Sequence, residues 1–196
     1  MKSDFILVGD SLTFGYGVGY NQRWASLLSK ELVNYNVINK GVNGDTSANI
    51  LFRFYDDVIS LNPKYIFIMC GTNDLLCGRS LQNIVDNIEE MIIECLNINS
   101  KVIIGIPPHI IKEMASLMFS PSPFYDYCNN SLPNLKDQLI NLCNKYKINY
   151  INFYDLIINN STSDLYLDGI HFNCLGNKIM FNAVIKELNV ILNIQK

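Results

Sequence analysis

Two unbroken apolar stretches, YIFIMC at residues 65–70 and VIIGI at residues 102–106, limit what this chain can fold into more than any other feature. A strand with one face in water alternates apolar and polar residues. These do not, so both of their faces must be covered. Sheets covered on both sides are built from parallel strands crossed over by helices. The remaining sequence supplies those parts. Phe5–Val8, Tyr35–Ile38 and Asn149–Ile151 read as further strands. Between the strands, apolar residues recur at three- and four-residue steps, the mark of a helix with one buried stripe. Trp24, Leu27, Leu28 and Leu32 form one such stripe, and Ile50, Leu51, Phe54 and Val58 another. Leu81 to Cys95 draws the clearest, opened by Ser80 as N-cap. Leu135, Leu139 and Leu142 mark a fourth, and Leu175 to Ile191 a last, with Asn173 near its start. Right-handed crossovers then predict a three-layer α/β/α domain spanning 1–196, around a five-stranded parallel sheet in the order 2-1-3-4-5.

In such sheets chemistry gathers beyond the carboxyl ends of the strands. That rule puts Asp10-Ser11, Gly44, Asn73 and His109 along one edge, after the first four strands in turn. Asp168 and His171 fall just before the last helix. A serine hydroxyl is a weak nucleophile until a base takes its proton, and histidine is the usual base near neutral pH. The chain has 2 histidines. His171 stands three residues after Asp168, with Gly169 between them, so the acid can hold one imidazole nitrogen while the other faces Ser11. Donors for an oxyanion are also at hand: the Ser11 N–H, the unobstructed Gly44 N–H and the Asn73 side-chain amide. Asp10, Asp45 and Asp74 each adjoin one of these residues and are expected to brace backbone. His109, after Pro107-Pro108, suits a structural or substrate-facing role better than a catalytic one.

Composition removes several classes of function. Net charge is −3 with no Lys/Arg cluster, which argues against a nucleic-acid partner. No apolar run approaches the ~18–20 residues of a membrane span, and no signal-peptide pattern opens the sequence, so a cytoplasmic or already trimmed chain is expected. The 6 cysteines form no C-x-x-C pair and no Cys/His ligand spacing, and read as buried or semi-buried thiols rather than a metal site.

Taken singly, each motif has an ordinary reading. Asp-Ser after a strand is commonly a turn or cap, Asn-Gly-Asp is a turn signal, and Asp-x-x-His can be a surface pair. Taken together, they resemble the SGNH hydrolases, the GDSL-type esterases and lipases. GDSLTFGYG looks like the family's first block, with Ser11 at the nucleophile position. Gly44 in GVNGDTS, Asn73 in GTND, and Asp168 and His171 in DGIH match the remaining blocks in order. The resemblance implies a flavodoxin-like sheet, a Ser11-His171-Asp168 triad, an oxyanion hole from Ser11, Gly44 and Asn73, and no metal or organic cofactor.

On this basis the chain is expected to be a serine carboxylic-ester hydrolase, of esterase or lysophospholipase type, acting on a small acyl ester. A carbohydrate O-acetylesterase of the same fold and a non-catalytic flavodoxin-like binder, for instance of flavin mononucleotide, are the rival readings. The acyl length, the leaving group and the oligomeric state are left open by the sequence. Residues 107–130 are too long for a plain strand-to-helix loop and carry no family block. They read either as a short helix packed on the core or as a lid or binding insertion, with His109, Met114, Met118 and Phe119 as candidate substrate-facing residues.

Overall fold

The computed structural model describes residues 3–160 and 163–191. Its sheet has five strands in the order β2-β1-β3-β4-β5. They are β1 (Ser3–Gly9), β2 (Tyr35–Gly41), β3 (Tyr65–Met69), β4 (Lys101–Ile106) and β5 (Asn149–Asn152). Every neighbouring pair is parallel, and Phe5 of β1 sits between Val37 and Tyr65. The larger helices are α2 (Trp24–Glu31), α3 (Ser47–Asp57), α5 (Leu81–Asn97), α7 (Pro123–Tyr146) and α9 (Cys174–Ile191). Shorter ones are α1 (Ser11–Phe14), α4 (Thr72–Leu76), α6 (Lys112–Met118) and α8 (Phe153–Ile158).

Successive residues of a strand point to opposite faces, and the buried strands divide accordingly. Ile6, Val8, Ile66, Ile68 and Ile104 share a cluster with Phe54 of α3, Met91 of α5 and Leu139 of α7. Phe5, Leu7, Phe67, Met69 and Ile103 pack on the other side with Trp24 of α2, Phe153 of α8 and Val184 of α9. The sheet is thus covered on both faces, which is why β3 needs no polar residue. β2 lies at the edge, is only half-buried, and runs past the expected Ile38 through Asn39-Lys40-Gly41.

The four short helices, α1, α4, α6 and α8, lack the length to show a periodic stripe. The fourth expected helix begins not near Leu135 but at Pro123. Ser122 accepts the Phe124 N–H, and proline suits the first turn, where its missing donor costs nothing. Pro133 and the polar Asn129-Asn130-Ser131 run masked the stripe Tyr125, Cys128, Leu132, Leu135 and Leu139. Residues 107–130 therefore hold α6 and the opening turns of α7. Cys70, Cys95, Cys128 and Cys143 are buried as expected, but Cys77, at the C-cap of α4, and Cys174, opening α9, are exposed. Among the described residues no helix is long and apolar enough to cross a membrane.

Candidate active site

β1 ends in close quarters. A Cβ on Gly9 would run into Thr13 Oγ1 and the Met69 carbonyl, so only glycine lets these segments approach so closely. Asp10 follows in an extended conformation and caps α1, its carboxylate accepting the Leu12 N–H at 2.9 Å. Trp24 Nε1 donates to the Leu12 carbonyl at 2.8 Å and pins this single turn to the core. Ser11, the first helical residue, is thereby fixed at the carboxyl end of β1 and is almost fully buried. Burial pushes the Asp10 carboxyl up to about 7, against the opposing pull of the Leu12 N–H and the His171 charge.

Asp168 and His171 lie on the tight turn before α9. Gly169 holds the positive φ of 89° that this turn requires. Asp168 Oδ1 accepts the N–H groups of Ile170 and His171 at 2.9 and 2.8 Å. Its Oδ2 lies 2.7 Å from His171 Nδ1, and His171 Nε2 lies 2.9 Å from Ser11 Oγ. A proton on Nδ1 facing the carboxylate leaves the Nε2 lone pair for the Ser11 hydroxyl to donate to. Burial acts to raise the Asp168 carboxyl. The hydrogen bonds from the His171 ring and from the His171 and Ile170 N–H groups outweigh it, so the carboxyl sits below its ordinary value.

Gly44 sits in a turn closed by the Asp45 N–H to the Val42 carbonyl at 3.3 Å, and has a φ of 82°. That is the position in a type II turn that glycine fills best. Gly44 is exposed, and no atom comes within 4 Å of where its Cβ would be, so its backbone faces open space. The turn is tied to its neighbours. The Val42 N–H bonds the Gly9 carbonyl at 3.0 Å, and Asn73 Nδ2 donates to the Asp45 carbonyl at 2.9 Å. Asp74 accepts both the N–H and the hydroxyl of Ser47, each at 2.7 Å. The bracing expected of Asp10 and Asp74 is visible in these bonds. Asp45 differs, since its carboxylate pairs with the Arg53 guanidinium rather than with backbone.

The other candidates separate. The His109 carbonyl accepts the Tyr166 hydroxyl, and its ring stands edge-on to Tyr154 and Tyr166. Met114 packs against the Trp24 side of the core, whereas Met118 and Phe119 are exposed. Three residues escaped the sequence reading. The Tyr16 ring lies over the His171 ring with centroids 4.5 Å apart. Asn177 of α9 caps α2 by accepting the Trp24 N–H at 3.1 Å, and donates to the Phe172 carbonyl at 3.1 Å. Arg53 backs the Gly44 turn. Of these, only Tyr16, within GDSLTFGYG, carried a signal in the sequence, its nearness to Ser11. A larger cavity of about 460 Å³ opens beside Lys101 and Asn149, at the amino ends of β4 and β5 and away from these groups.

Comparison with known proteins bears on the chain's family. The chain is 30% identical over 125 residues to the arylesterase of Vibrio mimicus, covering 60% of this chain and 62% of that one. It is 32% identical over 111 residues to the esterase TesA of Pseudomonas aeruginosa, covering 53% and 55%. The chain thus spans less than two thirds of the length of the curated relatives it matches. In fold it is similar to a lipolytic protein of the G-D-S-L family from Veillonella parvula, with a TM-score of 0.79 at 23% identity over 93% of this chain and 96% of that one. The family model of the GDSL-like lipases and acylhydrolases matches residues 7–179, from β1 into α9, and the chain belongs to that family.

Proposed function

We propose that this protein hydrolyses small carboxylic esters through an acyl-enzyme on Ser11. The reading is carried by one observation, the continuous chain of hydrogen-bonding distances from Asp168 through His171 to Ser11, 2.7 and 2.9 Å, at the carboxyl edge of the sheet. Ser11 Oγ attacks the ester carbonyl while His171 Nε2 takes the hydroxyl proton. Asp168 holds the ring in the required tautomer and stabilises the imidazolium. Charge gathers on the carbonyl oxygen, where the N–H groups of Ser11 and Gly44 and the Asn73 amide receive it. An amide carries two N–H groups; Asn73 gives one to Asp45 and keeps the other for the oxyanion. The intermediate collapses as His171 returns its proton to the leaving alcohol. A water, deprotonated by the same ring, then attacks the acyl-serine and frees the acid.

Residues 107–130 supply one wall of the acyl site of this single domain, with Met118 and Phe119 facing the acyl group and His109 and Met114 serving the frame behind them. The test is a panel of p-nitrophenyl esters from acetyl to long chain, with acetylated saccharides alongside and Ser11→Ala as blank. Turnover that vanishes in Ser11→Ala is expected; full activity in the folded variant overturns the assignment.

A further inference from the structure

Arg53 on α3 touches neither Ser11 nor His171, yet its guanidinium reaches the supports of all three proposed oxyanion donors. Nε donates to Asp45 Oδ2 at 2.7 Å, Nη2 to the Gly9 carbonyl at 3.2 Å, and Nη1 to Asp57 Oδ2 at 2.6 Å. Gly9 is the last residue of β1, and its carbonyl also accepts the Val42 N–H that anchors the Gly44 turn. Asp45 follows Gly44 directly, and its own carbonyl holds the Asn73 amide. One planar cation therefore stands one bond behind the Ser11 segment and the Gly44 turn, and two behind Asn73. Asp57 takes the remaining arm through Oδ2, while its Oδ1 pairs separately with Lys40 at 2.9 Å.

We propose that Arg53 is a positioning residue for the oxyanion site, holding the Gly9–Ser11 segment and the Gly44 turn in one register so that their N–H groups converge. The proposal rests on the ester-hydrolase reading above. It follows from geometry that only a guanidinium provides. Lysine offers a point charge on a flexible stem and satisfies one carboxylate, whereas arginine spans acceptors on separate segments at fixed angles. Arg53 is largely buried, so its bonds are shielded from competing water.

The plain alternative is that Arg53 only ties α3 to the sheet. Arg53→Lys, Arg53→Ala and, as a control, Lys40→Gln separate the two. Lys40→Gln removes the other cation on Asp57 and touches nothing at the site. Each variant is assayed for kcat and KM on a short-chain p-nitrophenyl ester, for melting temperature, and for affinity to an alkyl boronic acid that mimics the tetrahedral adduct. Displacing catalytic groups by an ångström costs roughly 10²-fold in rate. Arg53→Lys is expected to lose about tenfold or more in kcat with KM little changed, and boronate affinity should fall with it. Lys40→Gln should keep kcat within about twofold despite its lost ion pair. If Arg53→Ala does not fold, the lysine variant carries the test alone. Folded Arg53→Lys with wild-type kcat and boronate affinity overturns the proposal, as does an equal loss of kcat in Lys40→Gln. Wild type and Ser11→Ala measured alongside keep the two failures apart. Activity surviving in Ser11→Ala sinks the ester-hydrolase reading, whereas Ser11-dependent activity undiminished in Arg53→Lys sinks only the role of Arg53.

Discussion

Asp168 grips His171 twice, through the ring Nδ1 at 2.7 Å and through the backbone N–H at 2.8 Å. The carboxylate thus sets both where the residue sits and which nitrogen of its ring carries the proton. Asp168→Asn keeps the shape and can turn an N–H toward Nδ1, which selects the wrong tautomer. Such a change costs roughly 10⁴-fold in kcat in enzymes of this design. Steady-state kinetics should show that loss with the circular-dichroism spectrum unchanged.

Asn73→Ala deletes one proposed oxyanion donor and leaves Asp45 without its amide partner. Loss of one such donor costs ~10²–10³ in kcat. KM should move much less, because the ground-state ester carries little charge on that oxygen. An equal rise in KM with no fall in kcat would place Asn73 in substrate binding instead.

Buried carboxyls give the fold a readable pH dependence. Asp10 titrates near 3.8 when unfolded and at about 7 in the native chain, so between these values the native chain keeps a proton that the unfolded chain has released. Stability from Asp10 is full below 3.8 and is lost as pH rises through about 7, with a slope approaching ~1.4 kcal/mol per pH unit. Asp168 acts the other way. Its native value lies below 3.8, so its contribution is complete above that pH and disappears as pH falls through the lower native value. Urea unfolding from pH 4 to 8 should show the decline, and Asp10→Asn, which still accepts the Leu12 N–H, should flatten it.

Two glycines with similar backbone angles should respond differently to alanine. Gly44 has φ 82° and open space where a Cβ would stand, so Gly44→Ala should cost only the left-handed strain of ~1–2 kcal/mol. At Gly169, φ is 89° and a Cβ would stand 2.6 Å from the Ala115 nitrogen and closer still to the Ile111 carbonyl. Gly169→Ala should lose on the order of 3–5 kcal/mol and lower kcat in whatever remains folded, since the shift passes to Asp168 and His171. Denaturant midpoints and active-site titration with a fluorophosphonate check both.

Met118 and Phe119 project from the end of α6 and are about half exposed. Serine at both positions should leave unfolding free energy within about 0.5 kcal/mol. Under the proposed function, the double variant should lose relative activity on long acyl chains while acetyl esters are unaffected. Equal rates across the panel would place these side chains outside the substrate path.

The architecture was legible because burial on both faces of a sheet writes itself as continuous apolar sequence, as in YIFIMC, and because helices such as Leu81–Asn97 repeat their stripe often enough to be read. The candidate site was legible where glycines and polar residues interrupt that pattern at strand ends. The opening of α7 was hidden because its first turns mix asparagines with a stripe that Pro133 interrupts. Arg53 was hidden because it sits beside an apolar stripe and acts through bonds to segments distant in sequence. Tyr16 lies close to Ser11 in sequence, but its place over His171 is a meeting of two loops distant along the chain.

The Ser11–His171 pair joins residues 160 positions apart, and the Trp24–Asn177 cap joins residues 153 apart. On the ribosome the hydroxyl therefore emerges well before its base does. Under the proposed function, a nascent chain that has not yet reached His171 holds an inert alcohol, so hydrolytic power arises only once synthesis has passed the turn before α9.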